Sequence, residues 1–233
     1  EQGGFIVALA TGVYLTDEDG DHLELVADPE AEAEHRSDYN DGKVDPVGRF
    51  VFDSANLPQP GLAPQGGLYS LDPSGNLLVL DREITIGNGP CWSLDGRTLY
   101  HCDSMRYEIH AYDYDIGSGA ASNKRVFADT RELGGIPDGA TVDSDGCIWV
   151  AICEGGKIAR YSPEGELMRT VEMPVSLVSS VTFGGDDLDA LLVTSIDPKT
   201  MTTMDLPAEE LGGRLFLVTG LGTTGRAEPR FPG

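Results

Sequence analysis

Lysine is scarce, with only Lys43, Lys124, Lys157 and Lys199 in 233 residues. With 16 basic against 39 acidic side chains, the formal net charge is −23. Such a surface repels phosphate backbones and anionic lipid heads, so nucleic acid and membrane surfaces are poor partners. No apolar run approaches the ~20 residues of a membrane-spanning helix, and no basic segment followed by an apolar one opens the chain. The first residue is Glu1 rather than Met, which points to sequence upstream of it. Cysteine is also sparse. Cys91, Cys102, Cys147 and Cys153 show no C-x-x-C spacing and suggest no disulfide framework. Cys147 and Cys153 stand six apart in one extended run, too far to bridge; Cys91 and Cys102 could face each other across their hairpin, yet read as buried free thiols. A reducing, cytoplasmic location is expected.

Other absences narrow the chemistry. There is no G-x-S-x-G, which disfavours a serine-nucleophile hydrolase. His22, His35, His101 and His110 fall outside metal-ligand spacings, and the last two read as strand residues with satisfied rings. Gly220 to Gly225 matches G-x-G-x-x-G, yet only eight residues follow, too few for a dinucleotide-binding unit; it reads as a terminal loop. The acidic run from Asp28 to Glu34 reads as a solvated loop or a frayed helical turn.

What the chain does have is glycine at regular intervals. Turn glycines that closely follow Asp or Glu form two interleaved ladders. Gly48, Gly96 and Gly146 are 48 and 50 apart; Gly20, Gly75, Gly117 and Gly165 fall between them at 55, 42 and 48. A unit of just under fifty residues therefore holds two hairpins, with short alternating or apolar runs between turns and no long helical segment. Four-stranded units repeating in this way predict an all-β propeller. A sandwich does not call for a two-turn repeat. Trp92 and Trp149 hold the same place in their hairpins and are expected in the core between blades.

Ahead of three of these hairpins stand Asn40, Asn88 and Asp138, separated by 48 and 50 residues. Taken singly, each is a Gly-flanked turn residue. As a register, they are expected to converge at one end of the propeller's channel. Amide and carboxylate oxygens there suit a divalent cation such as Ca²⁺, Mg²⁺ or Mn²⁺, although Zn²⁺ or Fe²⁺ also uses them.

Several segments resemble the sugar-lactone hydrolases, the family that includes gluconolactonase, regucalcin (senescence marker protein) and the luciferin-regenerating enzyme. They are Asn40 to Phe50, Gly67 to Leu71, Asn88 to Tyr100, Gly135 to Gly139, Val142 to Ala151, Val181 to Gly185 and Gly213 to Phe216. The stretch around Arg125 and Ala151 is nearest the bacterial pentonolactonase branch. The resemblance implies a six-bladed propeller, here a single domain over residues 1–233 lacking its N-terminal blade region. It also implies one divalent metal with Asn88 and Asp138 as ligands, Asp138 doubling as general base, and Asn40 as a substrate-contacting amide. The expected activity is hydrolysis of a sugar lactone to the aldonic acid by a monomer or weak oligomer. Two departures stand out. The family's metal-binding Glu would lie upstream of Glu1, and Asp38 occupies a position where the family usually has Arg. Both keep open an alternative, a propeller that binds metal or ligand, or serves as a scaffold, without turnover.

Overall fold

In the computed structural model, which describes residues 3–56, 64–201 and 207–232, eighteen strands form five antiparallel sheets. The first holds β1 (Phe5–Leu9), β2 (Gly12–Thr16) and β3 (Glu24–Ala27). The second holds β4 (Asp38–Val44), β5 (Phe50–Ala55), β6 (Gly66–Leu71) and β7 (Leu77–Ile84). The third is β8 (Gly87–Trp92), β9 (Thr98–Asp103), β10 (Glu108–Asp115) and β11 (Ala120–Asp129). The fourth is β12 (Ile136–Val142), β13 (Ile148–Cys153), β14 (Lys157–Tyr161) and β15 (Leu167–Glu172). The fifth is β16 (Val178–Gly184), β17 (Ala190–Ser195) and β18 (Phe216–Val218).

Strands within each sheet follow sequence order, and the first strands of successive sheets pack together: β1 on β4, β4 on β8, β8 on β12 and β12 on β16. The result is a propeller whose inner wall is built from first strands. The ladder glycines Gly20, Gly48, Gly75, Gly96, Gly146 and Gly165 all take positive φ, the backbone state that those tight turns need. At one hairpin the positive φ belongs to Gly119 rather than Gly117, because the Asp115 carboxylate accepts the Gly117 and Ser118 N–H groups and delays the reversal by two residues.

Strand alternation divides the core. Ile148, Val150 and Ile152 of β13 face the third sheet, packing with Cys91, Tyr100, Cys102 and Ile109. Trp149 and Ala151, between them in sequence, face the fifth sheet and Val178, Phe183 and Leu191. A third cluster, with Leu68, Trp92 and Tyr112, fills the gap between the second and third sheets, and a fourth, with Val13, Phe50 and Phe52, that between the first and second. Burial of these side chains at roughly 1.5–3 kcal/mol each is the main stabilising term. All four cysteines are free and buried.

The six blades implied by the resemblance are corrected to five. Among the described residues, strands supply five sheets and four apolar interfaces; β1 pairs with β2 and β18 with β17, and no strand ladder joins the first sheet to the last. Phe5 and Leu217, on those two sheets, are 59% and 62% exposed. No helix among the described residues is long and apolar enough to cross a membrane.

The loop of the Gly220 to Gly225 pattern begins a C-terminal tail that crosses the hairpin end of the propeller. Ser144 donates its N–H to Thr224 O, Arg226 reaches Leu94 O, and Lys43 Nζ lies 3.0 Å from Glu228 Oε1. Phe231 finishes against the core between the first two sheets.

Candidate active site

The middle three sheets carry the same defect at the same place. Between Tyr39 and Gly42, β4 advances three residues while β5 covers two, Ser54 to Phe52. The same happens from Asn88 to Cys91 against Cys102 and Tyr100, and from Pro137 to Ala140 against Ile152 and Val150. These one-residue bulges start at 39, 88 and 137, a uniform spacing of 49. A bulge interrupts the ladder and re-aims the side chains beside it, which is how regular strands come to present polar groups at one end of the channel. In β16 the corresponding irregularity, between Val178 and Ser180, leaves Ser179 there instead of an acid or amide.

In this frame Asn40 and Asp138 occupy equivalent bulge positions, whereas Asn88 stands one place earlier, with Gly89 in theirs. The expected three-fold equivalence is thus off by one at Asn88, since spacings of 48 and 50 straddle a true period of 49. Gly89 is required at that position. Its φ is +54°, and a Cβ would come within 2.7 Å of Asp138 O.

Directional hydrogen bonds orient both amides. Asn40 Nδ2 donates to Gly87 O at 2.7 Å and to Asn88 Oδ1 at 2.9 Å. Asn88 Nδ2 donates to Ser104 Oγ at 2.8 Å, and Ser104 Oγ donates to Pro137 O at 2.7 Å, one residue before Asp138. The structure therefore joins Asn40 directly to Asn88, and ties Asn88 to the strand of Asp138 through Ser104. Asn88 and Ser104 are buried while Asn40 is exposed.

The electrostatics are those of a site with too many carboxylates. Burial, then the neighbouring Asp41 charge, and more weakly Asp53, push the Asp138 carboxyl up to about 8, against the pull of the Gly139 N–H. Asp41 itself accepts the N–H groups of Gly42 and Gly89, each at 2.7 Å. Asp53 is fully buried, accepts the Asp41 N–H and lies 2.9 Å from His101 Nε2. Burial raises Asp53 well above the usual carboxylate range and holds His101 down to about 4, so this pair is driven towards its neutral form. The rings of His101 and His110 are not fully satisfied as expected: each has a buried Nδ1 without a hydrogen-bond partner.

The donor set fits a divalent cation on its own chemistry. Asn88 Oδ1 has one lone pair spent on Asn40 and one in hand, and Asp138 is a carboxyl whose neighbouring charges are anionic. Among the described residues no cluster of three or more His, Cys, Asp or Glu side chains is arranged to hold a metal. Asn88 and Asp138 are therefore the residues that would hold such a cation, as one amide and one carboxylate.

Several contributors escape sequence reasoning. Asp41 was in view as part of the Asn-Asp-Gly segment, and its Gly89 contact spans 48 residues. Ser104 follows β9 with no motif around it. The acidic loop after β3 is not wholly solvated: Glu30 is buried and accepts hydrogen bonds from Ser54 Oγ and Tyr69 OH.

Residues 1–197 match the model of the SMP-30/Gluconolactonase/LRE-like region. The chain is 38% identical over 235 residues to 6-deoxy-6-sulfogluconolactonase of Pseudomonas putida, covering 100% of this chain and 78% of that protein. It is 34% identical to regucalcin of Danio rerio, over 97% of this chain and 76% of the relative. Among solved structures, a luciferin-regenerating enzyme superposes with a TM-score of 0.89 at 31% identity, covering 99% of this chain and 78% of that one. A calcium-binding protein, regucalcin, from Agrobacterium tumefaciens gives 0.84 at 27% identity, over 99% and 77%.

Proposed function

The chain belongs to the SMP-30/gluconolactonase/LRE-like family, and from that premise we propose that it hydrolyses a sugar lactone to the aldonic acid with one divalent cation held by Asn88 and Asp138. The observation that carries this reading is the linked trio of Asn40, Asn88 and Asp138 at the bulge end of the channel. When bound, the cation would polarise the lactone carbonyl and offset the negative charge around Asp138.

Each protein group then has a defined task. Asp138 accepts a proton from the water that attacks the carbonyl carbon. As the ring C–O bond breaks, Asp138 returns that proton to the departing alkoxide oxygen. The product acid ionises and releases one proton to solvent. Asn40 has both Nδ2 hydrogens engaged with Gly87 O and Asn88 Oδ1, so it presents Oδ1 to substrate and accepts a hydrogen bond from a sugar hydroxyl. Asp38, exposed at the start of β4, and Asp41, beside Asp138, add negative charge to this strand and favour an uncharged lactone. The four buried free thiols are consistent with a reducing, cytoplasmic setting.

Proton release from a panel of neutral and carboxylate-bearing aldonolactones, with and without chelator, tests this reading. Chelator-sensitive release, faster for neutral lactones, is expected. A flat response to every lactone and metal would favour the alternative of a ligand-binding propeller without turnover.

A further inference from the structure

Ser104 lies outside every segment that resembles the lactonases, yet it is fully buried between two strands of the site. Its hydroxyl has a single hydrogen. That hydrogen goes to Pro137 O, a carbonyl that can only accept. The group 2.8 Å away on Asn88 must therefore be the donor, Nδ2, and Asn88 Oδ1 is turned to the opposite side. There it meets Asn40 Nδ2, whose own identity is fixed by Gly87 O, again an acceptor only. Reversing the Asn88 amide would set Nδ2 against Nδ2 on one side and an oxygen against a hydroxyl with no spare hydrogen on the other. The Asn40 contact would be lost, and Ser104 could meet the reversed amide only by giving up Pro137 O.

We propose that Ser104 is a positioning residue: it sets which way the Asn88 amide faces and fastens Asn88 to the backbone immediately before Asp138. One hydroxyl thus spans 16 residues to Asn88 and 33 to Pro137, and joins the third sheet to the fourth at the site. It touches no reacting atom in this arrangement. Its consequence for catalysis rests on the lactonase reading above, while its effect on Asn88 does not.

The test uses the whole chain and two readouts. With ¹⁵N-asparagine labelling only five asparagines are visible, and Asn88→Asp identifies the Asn88 side-chain signal. In the wild type its NH₂ should exchange with water at least roughly tenfold more slowly than a free asparagine amide. Ser104→Ala should abolish that protection, and Ser104→Thr, which keeps the hydroxyl, should restore it. Calorimetric titration with Ca²⁺ alone should show affinity falling roughly 10- to 100-fold in Ser104→Ala and recovering in Ser104→Thr. Ser54→Ala removes another buried hydroxyl, one bonded to Glu30 and to the Gly67 N–H, and should move neither readout.

Unchanged Asn88 exchange in Ser104→Ala, or equal effects from Ser54→Ala, would overturn the proposal. Should Ser104→Ala fail to fold, wild-type exchange decides alone: a rate equal to that of free asparagine overturns it. Lactone assays on the wild type separate the two readings. No turnover with a protected Asn88 amide sinks the proposed function and leaves the positioning role standing; turnover with an unprotected amide does the reverse.

Discussion

The two ends of the channel treat buried carboxylates in opposite ways. At the hairpin end, Asp143 accepts the Asp145 and Cys147 N–H groups, Trp149 Nε1 and the Arg160 guanidinium. Asp45, in the equivalent turn two sheets earlier, accepts the Val47 and Arg49 N–H groups, Arg49 Nη1 and Tyr114 OH. Both are completely buried and both have an arginine. At the bulge end, Asp138 faces the charges of Asp41 and Asp53. The same strands, β4 and β12, connect the two ends, so sheet geometry does not explain the contrast. What differs is whether the chain supplies the cation. Asp45 and Asp143 have their cation from the chain, and the proposed function assigns an external one to Asp138.

The largest expected effect comes from removing the carboxyl at the bulge end. Asp138→Asn should lower kcat by roughly 10²- to 10⁴-fold, the range for loss of a general base, without lowering Tm. Loss of both activity and folding would erase the distinction between the two ends. Asp143→Asn is the mirror experiment. It should cost roughly 3 kcal/mol of stability by stranding Arg160 and Trp149 Nε1, while activity per folded molecule persists.

Only part of this contrast is legible in the sequence. The hairpin end was readable, because a tight turn needs positive φ and the glycines that supply it recur on a ladder: Gly48, Gly96 and Gly146 stand where they were expected. Site residues were readable to within one position. A bulge is a property of two paired strands, so nothing in the chain near Asn88 reveals that it precedes the bulge position held by Asn40 and Asp138. Ser104 was invisible for a related reason, its partners being brought to it by tertiary pairing. Glu30 was misread because an acidic run resembles a solvated loop until Ser54 and Tyr69 of the next sheet are in place. The described residues hold five sheets where the repeat by itself had room for just under five units; the count of six came from the resemblance alone.

Two smaller effects sharpen the comparison. For Asp138 the folded state raises the carboxyl from its ordinary 3.8 to about 8, so its contribution to stability is fully present below about pH 4 and is lost as pH rises through about 8. In chelator, thermal unfolding should show the Tm advantage of Asp138→Asn over wild type growing across that window. Asp81 provides the opposite sign. Burial alone would raise it, but hydrogen bonds from Lys124, the Glu83 N–H and Tyr112 hold it down to about 2. Its stabilisation is present above about pH 4 and fades as pH falls through about 2, and an Asp81→Asn variant should therefore lose stability relative to wild type at neutral pH but not near pH 2. The smallest effect belongs to the tail. The Lys43 and Glu228 pair is partly exposed, and Glu228→Gln should shift stability by only about 0.2–1 kcal/mol in chemical denaturation.

In the proposed function Asp138, its carboxyl raised to about 8, takes a cation that the chain itself does not provide. Calorimetric titration of Ca²⁺ or Mn²⁺ at pH 7, repeated in buffers of different ionisation enthalpy, counts the protons released on binding. Because the carboxyl sits at about 8, binding to the wild type should release close to one proton per cation, and Asp138→Asn should release none. Binding without proton release, or release undiminished in Asp138→Asn, would contradict the account.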